Sequence, residues 1–246
     1  MIKFAKTLQL RDQTDCLQSC FGKVLGGAIM KYKLKDPGSA ITHGIAFLLA
    51  AVGAAPLLIR SSEWSDHIHI VALGVFILTM MLLYAASTLY HSVDSTAKVN
   101  RRLKKLDHMM IFILIAGSYT PICVIPLRDT VGIPLLILVW AVAIAGMLIK
   151  AFWITCPKWF SSTIYIAMGW LCVLAMVPLV QTLPTAAFIW LVAGGVIYTI
   201  GGVIYTLKLP LFNAKHQYFG SHEIFHVFVM AGSLCHYVTM FYIATM

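Results

Sequence analysis

The sequence predicts an all-α membrane protein, a seven-transmembrane helix bundle with its N-terminus in the cytoplasm and its C-terminus outside. Three observations carry that expectation. Of 246 residues, 60% are hydrophobic and 11% charged, and the mean hydropathy is +0.87. A soluble domain has about 45–50% apolar and about 25% charged residues. Too few charges remain here to coat a soluble exterior, which excludes a soluble enzyme, a disordered tail and a disulfide scaffold. The apolar residues also gather into seven stretches long enough to cross a hydrocarbon core of about 30 Å. Finally, the net charge of +9, from 18 Lys and Arg against 9 Asp and Glu, is placed unevenly along the chain.

In chain order, residues 1–36 read as a basic extension on the cytoplasmic side. Gly22, Gly26 and Gly27 interrupt its weak amphipathic pattern, and it lacks the apolar run and cleavage site of a signal peptide. Residues 37–246 form the membrane domain, with spans expected near 40–59, 68–90, 107–126, 131–149, 161–180, 185–207 and 219–243. The first contains the run from Ala46 to Val52, and the second runs from Ile70 to Tyr90 without a charged residue. Pro121, Pro126, Pro134, Pro178 and Pro184 sit near span ends or inside spans, where neighbouring helices satisfy the freed backbone groups. In the sixth span, Gly194–Gly195 and Gly201–Gly202 recur at a seven-residue period, so both pairs return to nearly one helix face and admit a close neighbour.

Charge orients the bundle. With the N-terminus inside, 16 basic residues fall on the cytoplasmic side and two, Arg60 and Arg128, fall outside. The cytoplasmic set includes Lys98, Arg101, Arg102, Lys104 and Lys105 between spans two and three, Lys150 and Lys158 after span four, and Lys208 and Lys215 after span six. That placement excludes a nucleic-acid partner as the reason for the charge. The six cysteines behave as small apolar residues, and Cys16 and Cys20 lie where disulfides are uncommon.

Polar and ionisable groups inside spans are costly and mark sites. Here they reach one leaflet: His43 at the start of span one, Ser87 and His91 ending span two, Asp107 opening span three, and His222, Glu223 and His226 opening span seven. His222 and His226 are four residues apart, so their rings leave one helix face a turn apart. A third imidazole from His91 makes three protein ligands with a position left for water, the pattern of a catalytic Zn²⁺ site. Asp107 is placed to orient that water or take its proton, and Ser87 to bond the water or an oxyanion. Each residue also has a structural explanation: an interfacial histidine bonded within the fold, Asp107 as a helix N-terminal acid, Ser87 bonded to its own helix. His236 lies ten residues beyond His226, too far to share a metal. His67 and His69 fall at the opposite side. His222-Glu223-x-x-His226 also matches the zincin pattern, in which the glutamate is the general base of a metalloprotease.

Thr42-His43-Gly44, Ser87-Thr88-Leu89-Tyr90-His91, Leu106-Asp107 with Ala116-Gly117-Ser118-Tyr119-Thr120-Pro121, and Ser221-His222-Glu223-Ile224-Phe225-His226 followed by His236 resemble the bacterial hemolysin III family. That family is a branch of the progestin and adipoQ receptors, within the CREST group of membrane hydrolases. The likeness runs over roughly residues 37–243. It implies zinc near the cytoplasmic leaflet held by His91, His222 and His226, with Asp107 and Ser87 around its water. It also implies hydrolysis of a lipid-like amide or ester in a bacterial inner membrane, with membrane lipids as partners. Relatives with Gln at the position of Glu223 speak against the zincin reading. The alternatives are a non-enzymatic membrane protein, haemolytic or concerned with membrane homeostasis, in which zinc is structural, and a receptor or sensor.

Overall fold

A computed structural model describes residues 34–64, 67–207 and 219–246. Most of the expected extension, with Cys16 and Cys20, lies outside the described residues, as do Lys208 and Lys215. The described residues form helices with no strand: α1 (Pro37–Ser61), α2 (Ile68–Ser92), α3 (Ala97–Val124), α4 (Gly132–Phe152), α5 (Lys158–Gly169), a 3₁₀ segment (Trp170–Ala175), α6 (Met176–Thr182), α7 (Thr185–Leu207) and α8 (Ser221–Ile243). Taking α5, the 3₁₀ segment and α6 as one span, seven spans among the described residues are long and apolar enough to cross a membrane. Six of them match the expected limits within three residues at each end.

Span three is the exception. It begins at Ala97, ten residues before the expected start, because the helix continues through the basic run Arg101 to Lys105. The Thr96 hydroxyl caps it by accepting from the Val99 N–H. Such a cap satisfies one of the free amide groups at a helix start. Hydropathy locates the apolar part of a helix, whereas the helix itself stops only where its hydrogen bonds stop.

Span five is broken for a reason that lies on another helix. The Tyr119 hydroxyl of α3 donates to the Gly169 carbonyl (2.6 Å) and accepts from the Cys172 N–H (2.8 Å). A side chain inserted into the helical ladder in this way displaces the local bonds and tightens the turn. Pro178 then removes a further N–H from α6.

The spans close into a ring. Neighbours pack in order from α1 to α4, α4 meets the 3₁₀ segment, α5 packs on α7, α7 on α8, and α8 returns to α1. Fully buried Leu57, Phe76, Tyr84, Phe112, Met168 and Met240 fill the interior. Leu48, Val52, Ile137 and Phe152 point outward, as expected of a surface facing lipid. The most extensive contact is that between α7 and α8, where the glycine repeat acts. A Cβ at Gly201 would lie 2.7 Å from the Phe228 Cβ, and one at Gly202 3.1 Å from the Ile166 side chain. Gly201→Val is therefore expected to force α7 and α8 apart and to cost about 1–3 kcal/mol, the usual price of overpacking. The check is thermal unfolding in detergent, where an unchanged midpoint would contradict this account of the repeat.

Candidate metal centre

Two helices bring three histidines together at one end of the ring. His91 comes from the last turn of α2, while His222 and His226 come from the first two turns of α8. One ring nitrogen from each lies within 4.8 Å of the others, and His91 Nε2 and His222 Nε2 face one another at 3.3 Å. His91 and His226 are almost fully buried, with relative exposures of 3% and 2%.

The outer sides of these rings are held by hydrogen bonds. His91 Nδ1 lies 2.9 Å from Asp36 Oδ2, so the carboxylate accepts its proton. The Asp36 N–H also donates to the His91 carbonyl (2.9 Å), and the Lys35 ammonium lies over the Tyr90 ring and donates to the Tyr90 carbonyl. Burial pulls the Lys35 pKa below its ordinary value, and the neighbouring Asp36 opposes that shift. His226 Nδ1 is 3.2 Å from Thr42 Oγ1, whose hydrogen is directed at the Gly38 and Ser39 carbonyls, so Thr42 accepts from the imidazole. Both rings then carry their proton on Nδ1 and turn an Nε2 lone pair inward. Anchoring a histidine through its second nitrogen is how proteins fix a ligand's tautomer and aim. Among the described residues the donor set therefore fits a zinc ion: three imidazoles, two of them oriented, with no thiolate and no ring of oxygens that would suit calcium or magnesium instead.

Ser87 and Asp107 stand beside this cluster and line the same cavity. Both are buried. The Asp107 carboxylate is 3.3 Å from His108 Nδ1. The Ser87 hydroxyl is bonded to His43 Nδ1 (2.7 Å), and the His43 ring stacks on His226 with centroids 3.6 Å apart and planes 5° from parallel. His43 thus couples the Ser87 hydroxyl to a face of the cluster, while its Nε2 is buried without a hydrogen-bond partner among the described residues. Sequence reasoning singled out His43 by depth but assigned it no task. It missed Asp36 altogether, since that residue precedes the first span and has no helical spacing to the histidines.

Glu223 is used elsewhere. One of its oxygens accepts from the Ser39 hydroxyl (2.5 Å) and the other from the Gly220 N–H (2.8 Å), which caps α8 and ties it to α1. His67 and His69 lie at the far end of α2, where His69 stacks on Trp64. His236 lines the cavity well away from the three clustered histidines.

From this end the cavity runs along the interior between α3, the broken span five, α7 and α8, and most of its wall is apolar, including Ile111, Ile115, Leu179, Phe188 and Val229. The family model described as "Haemolysin-III related" matches residues 31–237. Two curated relatives align over most of their length. The "Hemolysin-3 homolog" of Bacillus subtilis (strain 168) is 37% identical over 199 residues, covering 81% of this chain and 89% of the relative. "Hemolysin-3" of Bacillus cereus is 37% identical over 210 residues, covering 85% and 92%.

Proposed function

The chain belongs to the haemolysin-III related family of multi-pass bacterial membrane proteins, and with its site in view we propose that it is a zinc-dependent hydrolase of a lipid-like amide or ester. The observation that supports this most is the convergence of His91, His222 and His226 beside an apolar cavity that His222 and His226 line, with two of the three rings held from behind by Asp36 and Thr42. The basic N-terminal part of α3 lies at the same end as His91, so the positive-inside rule puts that end at the cytoplasmic side.

His91, His222 and His226 would hold the zinc ion, which when bound would supply Lewis acidity and ease deprotonation of water near neutral pH. The protein supplies the rest. Asp107, on the cavity wall, takes the proton from the attacking water and returns it to the leaving amine or alcohol. With the proton on His43 Nδ1, the imidazole donates to Ser87 Oγ and leaves the serine hydrogen free to bond the carbonyl oxygen as negative charge develops on it. Apolar walls hold the acyl chain and exclude bulk water. The deciding experiment measures release of fatty acid from acyl amides and esters by the purified, zinc-loaded protein. Turnover that depends on Asp107 supports the reading, and no turnover of any acyl amide or ester contradicts it.

The metalloprotease reading asks Glu223 to be the general base, yet both its oxygens are engaged in the α8 cap and the tie to α1. Glu223→Gln is therefore expected to keep turnover within about threefold of wild type. It loses one charge-assisted bond, worth roughly 1–2 kcal/mol of stability. A collapse of turnover with the fold intact would revive the zincin assignment. The names of the Bacillus relatives favour a second reading, membrane lysis with zinc in a structural role. Lysis that survives both Asp107→Asn and His91→Ala would select it.

A further inference from the structure

Farther along the cavity, the apolar wall is interrupted by a second polar patch that the reaction above does not use. His236 of α8 and Tyr198 of α7 both line the cavity, and their rings meet edge to face with centroids 5.2 Å apart. Both His236 ring nitrogens are buried without a hydrogen-bond partner among the described residues. A neutral imidazole offers one donor and one acceptor, and leaving them unused in an apolar wall is costly. The Tyr198 hydroxyl belongs to a short chain: Tyr84 donates to Ser233 (2.6 Å), and Ser233 is joined to Tyr198 (2.7 Å). Three hydroxyl hydrogens serve two links, so one is left over. When Ser233 donates onward, that hydrogen sits on Tyr198, the cavity-lining member.

The backbone makes room for this patch. A Cβ at Gly194 of α7 would collide with the His236 ring, and one at Gly232 of α8 would lie 2.9 Å from the Tyr198 ring. Each polar ring thus lies over a glycine of the opposite helix, so the sequence gives up side-chain packing on both helices to seat them. His236 is ten residues beyond His226 on α8. That is about 15 Å along the axis, a distance that an extended methylene chain covers in roughly a dozen carbons.

We propose that His236 and Tyr198 form a second polar subsite, which binds a hydroxyl or carbonyl oxygen carried on an acyl chain about a dozen carbons from the group held at the three-histidine end. The inference rests on the reading of the cavity as a lipid site. An oxygen substituent at that depth accepts from the free Tyr198 hydrogen and exchanges a hydrogen bond with His236. A plain chain leaves both groups unsatisfied.

The test uses full-length protein in detergent and displacement of a fluorescent fatty acid by octadecanoate, 2-hydroxyoctadecanoate and 12-hydroxyoctadecanoate. The expected result is that the 12-hydroxy acid displaces the probe at about tenfold lower concentration than the other two, the worth of one well-made buried hydrogen bond. His236→Phe removes that preference, so that octadecanoate and the 12-hydroxy acid displace the probe at the same concentration. Tyr198→Phe keeps the ring over Gly232 and reduces the preference, which decides the matter if His236→Phe does not fold. Equal displacement by all three acids overturns the subsite and leaves the lipid reading intact. Failure of every acid to displace the probe overturns the lipid reading and the subsite together.

Discussion

Asp107→Asn is expected to lower hydrolytic turnover about 10²- to 10⁴-fold, the range for loss of a general acid–base group. Asn keeps the size and polarity of the buried side chain but cannot accept the proton from the attacking water. Asp107 lies outside the group of three clustered histidines, so metal content and unfolding temperature should stay near the wild-type values. The decisive pair of measurements is fatty-acid release and metal content on the same preparation. Turnover close to wild type would remove Asp107 from the mechanism. Loss of metal together with turnover would make it part of the metal-holding set instead.

Asp36→Asn is expected to weaken metal binding about 10- to 100-fold, the usual consequence of removing a carboxylate behind a ligating histidine. The carboxylate accepts the His91 Nδ1 proton at 2.9 Å and so sets both the tautomer and the basicity of that ring. Asn can still accept through its carbonyl oxygen, but without the negative charge. Stability should change little, because the Asp36 side chain is 44% exposed and an exposed pair contributes about 0–1 kcal/mol. Chelator competition measures the affinity and thermal unfolding the stability. Unchanged affinity would mean that His91 needs no partner, whereas a large loss of stability would make Asp36 a structural residue.

The spans were legible because a bilayer imposes one requirement on every segment that crosses it, and twenty apolar residues write that requirement locally. The helical extension of α3 was hidden because Arg101 to Lys105 follow the helix out of the apolar layer, where charge is no longer excluded. The break in span five was hidden for another reason: its cause is Tyr119, some fifty positions away on α3. His91, His222 and His226 could be picked out because charge orientation puts their span ends at one depth, and i, i+4 spacing puts two of them on one face. Asp36 could not, since a residue just before a helix reaches its target through the loop path, for which no periodicity exists. His43 was visible by depth alone, and its stacking on His226 and bond to Ser87 depend on how α1 packs against α2 and α8. Glu223 shows the converse, a motif position that looks catalytic in one dimension and proves to be a helix cap in three.

Whether the three histidines hold one zinc ion is read by elemental analysis of the purified protein. About one zinc per wild-type chain is expected, with a loss of most of it in His222→Ala, which removes one of three ligands. A wild-type protein loaded with excess zinc, then freed of unbound ion and found without stoichiometric metal, would contradict it. So would a zinc content that His222→Ala leaves unchanged.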